Sequence, residues 1–547
     1  MEKIAKLRGR VNANLIGDPL QELKKTHHTY AKFCLRTVNE ETVAKAIKRT
    51  KTKDSFGIDG VSSRIIKGAS EVLKVPLTRL FNASIQRGSF PSTWKTAKVA
   101  PVLKGGDPLN KSNYRPVALL PAISKVMERV IYDQLIKHVS KQNILHESQH
   151  GFRPKRSTIS ALTYLTSKWL SLLQAGKNVG ILVYDLSAAF DCLDAEILDQ
   201  KLEFYNFDVN TRNWIKSYLT GRKQLVQIGM DKSEVCDLTV GSPQGAILSP
   251  LLFLIYISDI ELWTKLFLTE YADDTGSYCS SKNMDEVLKT LEEESKNILK
   301  FMASNLLIAN EAKTELLLLR KKGCKTDKAR VLVGGAPIEE KKSIKLLGVY
   351  IDNRLNWEDH VEKVQKKINQ RAFFLRRLRG VLEHDQLISV TNGLIYSVVR
   401  YGLAVYGRAR LEETDPKKAN LAALQRSLNG IMRIITQTPQ PDKLSTEELL
   451  IQTGLPSLNQ MTVESVLTEM WKADKYELPV RSLFEETPAG KRRTEKYKVP
   501  RLATNHKEWF VWKGSVIWNK FGRNLDGLCS SDVKKEIKDY AKVFLIV

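Results

Sequence analysis

Tyr271-Ala272-Asp273-Asp274 sets two carboxylates side by side in an apolar and aromatic neighbourhood, between Phe267-Leu268 and Gly276. Side chains alternate along a strand, so both acids reach one cluster only from a tight turn between two strands. Adjacent like charges repel and raise a carboxyl pKa. A cation relieves that repulsion, and hard carboxylate oxygens suit Mg²⁺. An isolated Asp-Asp pair is ordinarily a surface turn, because turns are rich in Asp. Its companions elsewhere in the chain decide otherwise.

The first companion is Val183-Tyr184-Asp185-Leu186-Ser187-Ala188-Ala189-Phe190-Asp191, which follows the apolar run Val179–Val183. That run reads as a buried strand. A lone carboxylate at its end is expensive to bury, so Asp185 needs a partner. Metal shared with Asp273 and Asp274 supplies one. Two Mg²⁺ ions roughly 3.5–4 Å apart can activate a primer hydroxyl and stabilise leaving pyrophosphate. The second companion is Gly241-Ser242-Pro243-Gln244-Gly245, ahead of the apolar Ile247–Ile257. By itself it is a turn that opens a helix.

Taken in order, Tyr184-Asp185-x-x-x-x-Phe190, Ser242-Pro243-Gln244-Gly245 and Tyr271-Ala272-Asp273-Asp274 resemble motifs A, B and C of reverse transcriptases. Upstream, Asn113-Tyr114-Arg115-Pro116-Val117 and Gln149-His150-Gly151-Phe152-Arg153 resemble finger blocks of the non-LTR retrotransposon branch, jockey-like elements in particular. Downstream, Lys313-Thr314-Glu315 resembles motif D, and Leu346-Leu347-Gly348-Val349 the primer-grip block. The resemblance covers roughly residues 90–380 with specific motifs and the remainder more loosely.

The resemblance implies an α+β right-hand polymerase fold, with fingers, a palm built on an antiparallel sheet, a helical thumb and a mainly helical C-terminal region. The expected divisions are an N-terminal helical extension over 1–90, fingers over 91–180, palm over 181–352, thumb over 353–436 and a C-terminal domain over 437–547. It implies RNA-directed DNA polymerisation by two-metal nucleotidyl transfer, with two Mg²⁺ ions (Mn²⁺ as the alternative). Asp185, Asp273 and Asp274 are the expected catalytic set, and the Leu186 carbonyl a further metal ligand. Phe190 is the expected steric gate against a ribose 2′-OH, which makes dNTPs the substrates. Gln244 is expected on the incoming sugar or template base, and Gly245 permits close backbone approach. Lys104 and Arg115 are candidates for the triphosphate, Arg as a fork and Lys as a point charge. Lys98 has credentials similar to those of Lys104. Lys313 is a candidate general acid for the leaving pyrophosphate. Arg153 is expected to bind template or brace the fingers, and Gly348, Lys366, Lys367 and Arg371 to contact template and primer.

Charge agrees with a polyanionic partner. The 547 residues carry 86 Lys and Arg against 61 Asp and Glu, a formal charge of +25. Phosphate backbones are the natural counterpart. The same surplus serves a catalytically silent nucleic-acid-binding remnant or a domesticated scaffold, although a scaffold gains little from keeping all three acids. The six cysteines form no C-x-x-C pair, so a zinc knuckle is not expected, and their scatter suits reduced thiols in an intracellular protein. Met1–Lys6 lacks the apolar core of a signal peptide. The longest apolar stretch, Ala246–Ile257, is interrupted by Ser249 and Pro250, and it falls short of the ~20 residues a bilayer needs. No membrane partner is expected.

The remaining pattern fits this plan. Thr42–Thr50 and Ala69–Ile85 read as amphipathic helices, as do Ala122–Ser140 and Ser157–Leu173. Leu316–Leu319 reads as a strand buried on both faces. Gly334-Gly335 marks a hairpin, and Ile344–Ile351 reads as one returning strand. From Trp357 a helix carries Lys363, Lys366, Lys367, Arg371, Arg376, Arg377 and Arg379 opposite Val361, Val364, Ile368, Ala372 and Leu375. Gln437–Pro441 reads as a linker. Beyond it, Trp471, Trp509, Phe510, Trp512 and Trp518 suit either base stacking on single-stranded RNA or a core. An endonuclease normally precedes this core in the family. None of that size precedes residue 90, so it is expected from another chain or from a missing upstream domain. The Lys491–Arg493 cluster is compatible with a nuclear address. Nuclear action with a cytoplasmic ribonucleoprotein stage is the expectation for target-primed copying.

Overall fold

A four-stranded antiparallel sheet organises the chain. The computed structural model describes residues 13–542, apart from 187, 311–312, 325–327, 411–418, 439–443, 488–495, 503–508, 526–527 and 529. The central strand Asn178–Tyr184 pairs on one side with Asp274–Ser281 and on the other with Glu315–Leu319. Phe267–Tyr271 flanks Asp274–Ser281 at the outer edge.

The sheet is buried on both faces because its strands alternate between two cores. Leu182, Leu316 and Leu318 join one apolar cluster with Val287 and Leu291 of the helix Met284–Ser304. Val179, Ile181, Leu317 and Leu319 join another with Leu162, Leu165 and Trp169 of the helix Thr158–Gln174. Each helix starts where its sequence supplies a cap. Asn283 accepts from the Asp285 N–H, and Ser157 forms a capping box with Ser160. The helix Met284–Ser304 crosses the central strand closely: a Cβ on Gly180 would lie 2.4 Å from Val287.

The outer flank of Glu315–Leu319 is covered. Leu316 bridges Glu340, and the Lys341 N–H donates to the Leu316 carbonyl at 2.9 Å. Arg320 forks onto the Glu340 carboxylate beside them.

A second sheet sets Thr96–Leu103 antiparallel to Tyr114–Leu119 and parallel to Arg222–Ile228. Gly334-Gly335 turns the hairpin Arg330–Val333/Ala336–Glu339, as expected. Ile344–Ile351 departs from the reading as one strand. It folds into Ser343–Leu346 and Val349–Asp352, paired antiparallel around Leu347-Gly348. Both turn residues have positive φ, +47° and +83°, the mark of a two-residue hairpin turn. A leucine in that position hides the turn among apolar neighbours.

The basic helix runs Glu358–Leu378 and buries Val361, Val364, Ile368, Ala372 and Leu375, the face its spacing requires. The later helices Ala419–Thr436, Leu458–Lys475 and Phe510–Phe521 pack into the second core. Trp509, Phe510 and Trp518 are buried there, so those rings serve packing. Among the described residues no cysteine is in a disulfide, and no helix is long and apolar enough to cross a membrane. Lys491–Arg493, and Pro439–Pro441 of the linker reading, lie outside the described residues.

Candidate active site

Strand register brings the acids together. Tyr184 pairs with Thr275, so Asp185 leaves its strand beside the Asp273-Asp274 corner. Tyr271 pairs with Asp274 across a two-residue turn in which Ala272 has φ +61°. The Asp273 carboxyl is pushed up by burial and by Asp185, partly offset by the nearby Arg115 guanidinium. Asp274 is pushed up to about 6 by the crowding of its carboxyl, by Asp273 and by Asp185, although much of its surface faces solvent. Burial and mutual repulsion both weigh against the charged acids here, and a bound cation would relieve them.

The donor set fits a hard divalent ion. Among the described residues no group of three or more His, Cys, Asp or Glu side chains is arranged so as to hold a metal ion by itself. Mg²⁺ does not need one, since it is usually held by one or two carboxylates together with substrate phosphates and water. Asp185 meanwhile holds a protein cation: the Lys313 ammonium lies 3.0 Å from its carboxylate. Lys313 reaches it because the Asn310 N–H donates to the Asp185 carbonyl and Leu186 bridges Ala309. That bond pattern makes Leu186–Ala309 a non-hydrogen-bonded pair, so the Leu186 carbonyl points away from Ala309.

The Phe190 and Gln244 segments zip together through their backbones. The Gly241 N–H donates to the Leu193 carbonyl, and the Ser242 N–H to that of Phe190, each at 2.9 Å. A Cβ on Gly241 would lie 2.8 Å from the Asp191 carbonyl oxygen, so the approach needs glycine. Phe190 lies in a single 3-10 turn, Ala189–Asp191, and its ring packs on Phe253 at 4.7 Å between centroids. The Gln244 amide donates to both Asp191 oxygens, at 2.9 and 3.1 Å. On the other side, the Ala118 N–H donates to the Gln244 carbonyl at 2.8 Å, and a Cβ on Gly245 would lie 2.9 Å from the Ala118 oxygen. The strand Tyr114–Leu119 is thereby fixed against the site, with Arg115 exposed on it.

The other expected residues divide. Lys104 is exposed at the strand end Leu103, with its N–H on the Asn113 carbonyl, whereas Lys98 lies over the Phe56 ring. Arg153 is turned inward, donating to the Leu145 and His146 carbonyls. Gly348 sits in its hairpin against the Tyr401 ring. Lys366 and Lys367 are exposed, while the Arg371 guanidinium is tied to the Leu394 carbonyl.

Two residues escaped the sequence reading. Asp191 fixes Gln244, and its place directly after Phe190 was the available signal. Glu128 is fully buried and accepts from the Ile247 and Leu248 N–H groups at 2.7 and 3.3 Å, capping the apolar helix Leu248–Ile257. Nothing in the local sequence of either partner marks that contact.

Residues 102–351 match the family model described as reverse transcriptase (RNA-dependent DNA polymerase). The chain is similar to the probable RNA-directed DNA polymerase from transposon BS of Drosophila melanogaster, 26% identical over 74% of this chain and 45% of that protein. It is 25% identical to the RNA-directed DNA polymerase from mobile element jockey of the same organism, over 72% of this chain and 44% of that protein. It is 26% identical to the probable RNA-directed DNA polymerase from the X-element, over 72% and 43%. The chain thus spans less than half the length of the curated relatives it matches.

Proposed function

We propose that this chain, whose residues 102–351 match the reverse transcriptase family model, is a jockey-like enzyme that copies RNA into DNA by adding dNTPs to a primer 3′-OH. The observation that carries the reading is the convergence of Asp185 with Asp273 and Asp274, through strand pairing across about ninety residues of chain.

In this reading Asp185, Asp273, Asp274 and the Leu186 carbonyl hold two divalent ions, Mg²⁺ or Mn²⁺. Such ions, when bound, favour ionisation of a primer hydroxyl and neutralise phosphate charge. The protein's own contribution is positioning and electrostatics. Arg115, close enough to Asp273 to act on its charge, faces the triphosphate with Lys104. Lys313 keeps an ammonium at the acids, where it can give a proton to the leaving group. Phe190, braced by Phe253, closes the space a 2′-OH needs. Gln244, oriented by Asp191, reads the sugar or template base.

The strands Thr96–Leu103 and Tyr114–Leu119 and the helix Ala122–Lys141 belong to the fingers over 91–180. The antiparallel sheet is the palm over 181–352, and the basic helix opens the thumb over 353–436. Gly348, Lys366 and Lys367 then meet template and primer. Any nick would come from an endonuclease on another chain or another part of a longer protein, and the work would take place in the nucleus.

Primer extension tests this. Purified chain with DNA primer annealed to RNA should incorporate dNTPs only with Mg²⁺ or Mn²⁺, and Asp273→Asn should abolish incorporation while leaving primer–template affinity intact. Tight binding without incorporation by the unaltered chain would instead support the silent scaffold.

A further inference from the structure

Gln149 and Gly151 clasp the turn that presents the acids. Ala272 turns with φ +61°, a conformation that a non-glycine residue keeps only where its surroundings hold it. The Gln149 side-chain oxygen accepts from the Ala272 N–H at 3.1 Å and from the Gly151 N–H at 2.8 Å. Its amide nitrogen donates to the Glu270 carboxyl at 3.2 Å. Backbone pairing adds a short parallel bridge: the His150 N–H donates to the Glu270 carbonyl at 2.8 Å, and the Glu270 N–H to the Ser148 carbonyl at 3.0 Å. Gln149 is 2% and Glu270 1% exposed, so these bonds are shielded from water. A Cβ on Gly151 would lie 2.2 Å from the Ala272 nitrogen, so only glycine permits the approach.

We propose that Gln149 is a positioning residue for the metal-binding acids, its amide locking the Ala272 turn so that Asp273 and Asp274 face Asp185. The proposal rests on the polymerase reading above. It assigns the Gln149–Gly151 segment a task separate from template contact. Both ends of the Gln149 amide are used, one on the turn and one on the strand leading into it. The turn can therefore neither flip its peptide nor slide in register without leaving a buried polar group unpaired.

The test compares two variants of nearly equal size. Gln149→Met fills the space without an acceptor, whereas Gln149→Glu keeps an acceptor for Ala272 and Gly151 and can share a proton with Glu270. Mn²⁺ binding to the full chain is followed by electron paramagnetic resonance, together with primer–template affinity, thermal melting and single-nucleotide kcat and KM. For Gln149→Met the expectation is a Mn²⁺ dissociation constant and a kcat worse by about 10–100-fold. Primer–template affinity and dNTP KM should stay within about twofold. Gln149→Glu should recover most of the loss. Equal behaviour of folded Met and Glu variants overturns the proposal, as does wild-type Mn²⁺ affinity in Gln149→Met. Should Gln149→Met fail to fold, Gln149→Glu decides: a folded Glu variant as poor in Mn²⁺ binding as Asp273→Asn overturns it, and near-wild-type binding supports it. Failure of the unaltered chain to extend a primer strikes the polymerase reading itself, whatever the variants do.

Discussion

Three acids close together make the site pH-sensitive in a definite direction. Asp274 rises from an ordinary value of 3.8 to about 6, and Asp273 rises as well. A carboxyl with a raised folded pKa contributes stability below its unfolded value and loses that contribution as pH climbs through its folded value. The ion-free chain is therefore strained by these charges above about pH 6. Mg²⁺ should raise the melting temperature more at pH 8 than at pH 5, and equal shifts at both would refute this. Mg²⁺ must also compete with protons, so its half-saturation concentration for incorporation should climb as pH drops through about 6. For the gate, Phe190→Val should lower dNTP-over-rNTP selectivity in kcat/KM by at least about tenfold, each factor of ten being about 1.4 kcal/mol of discrimination. Unchanged selectivity removes Phe190 from that role. The acids and Phe190 were legible because their residue types and order are distinctive. The contacts of Asp191 and Glu128 were not, because each acts through a backbone or side-chain partner far away in the chain.

Elements built on periodicity were read closely. The helices Ala122–Lys141, Thr158–Gln174 and Glu358–Leu378 start and stop within a few residues of their apolar pattern. The hairpin at Leu347-Gly348 was missed because alternation continues through a two-residue turn when one of its residues is apolar. The helix Leu248–Ile257 shows what periodicity cannot reveal. It is apolar all round and buried, so its N-terminus takes a cap from another helix, through Glu128. Glu128→Ala leaves two buried N–H groups without that acceptor and should cost about 1–3 kcal/mol for each group left unsatisfied. Urea denaturation followed by circular dichroism would show the loss as a lower midpoint. A midpoint unchanged from wild type would mean that water replaces the cap. Glu128→Gln, which keeps an acceptor, should lose less.

Across the whole molecule, the surplus of positive charge bears on the proposed binding to nucleic acid more than on the fold. The logarithm of primer–template affinity should fall linearly with the logarithm of salt concentration. Replacing exposed Lys366 and Lys367 by Ala should reduce that slope by about 1 for each lost phosphate contact, without changing sequence preference. A slope equal to wild type would place this helix away from the backbone. The sequence announced a sheet buried on both sides but not what shields its flank, since Glu340 and Lys341 belong to a segment with no strand signature. Remove that segment and Glu315–Leu319, still paired with the central strand, loses the bridge at Leu316 that guards its outer edge, an edge along an uncharged run of leucines to which another chain could add. In the full chain, Arg320→Ala with Glu340→Ala should therefore loosen that cover and raise light scattering on mild heating, whereas scattering equal to wild type would mean that the edge is guarded in another way.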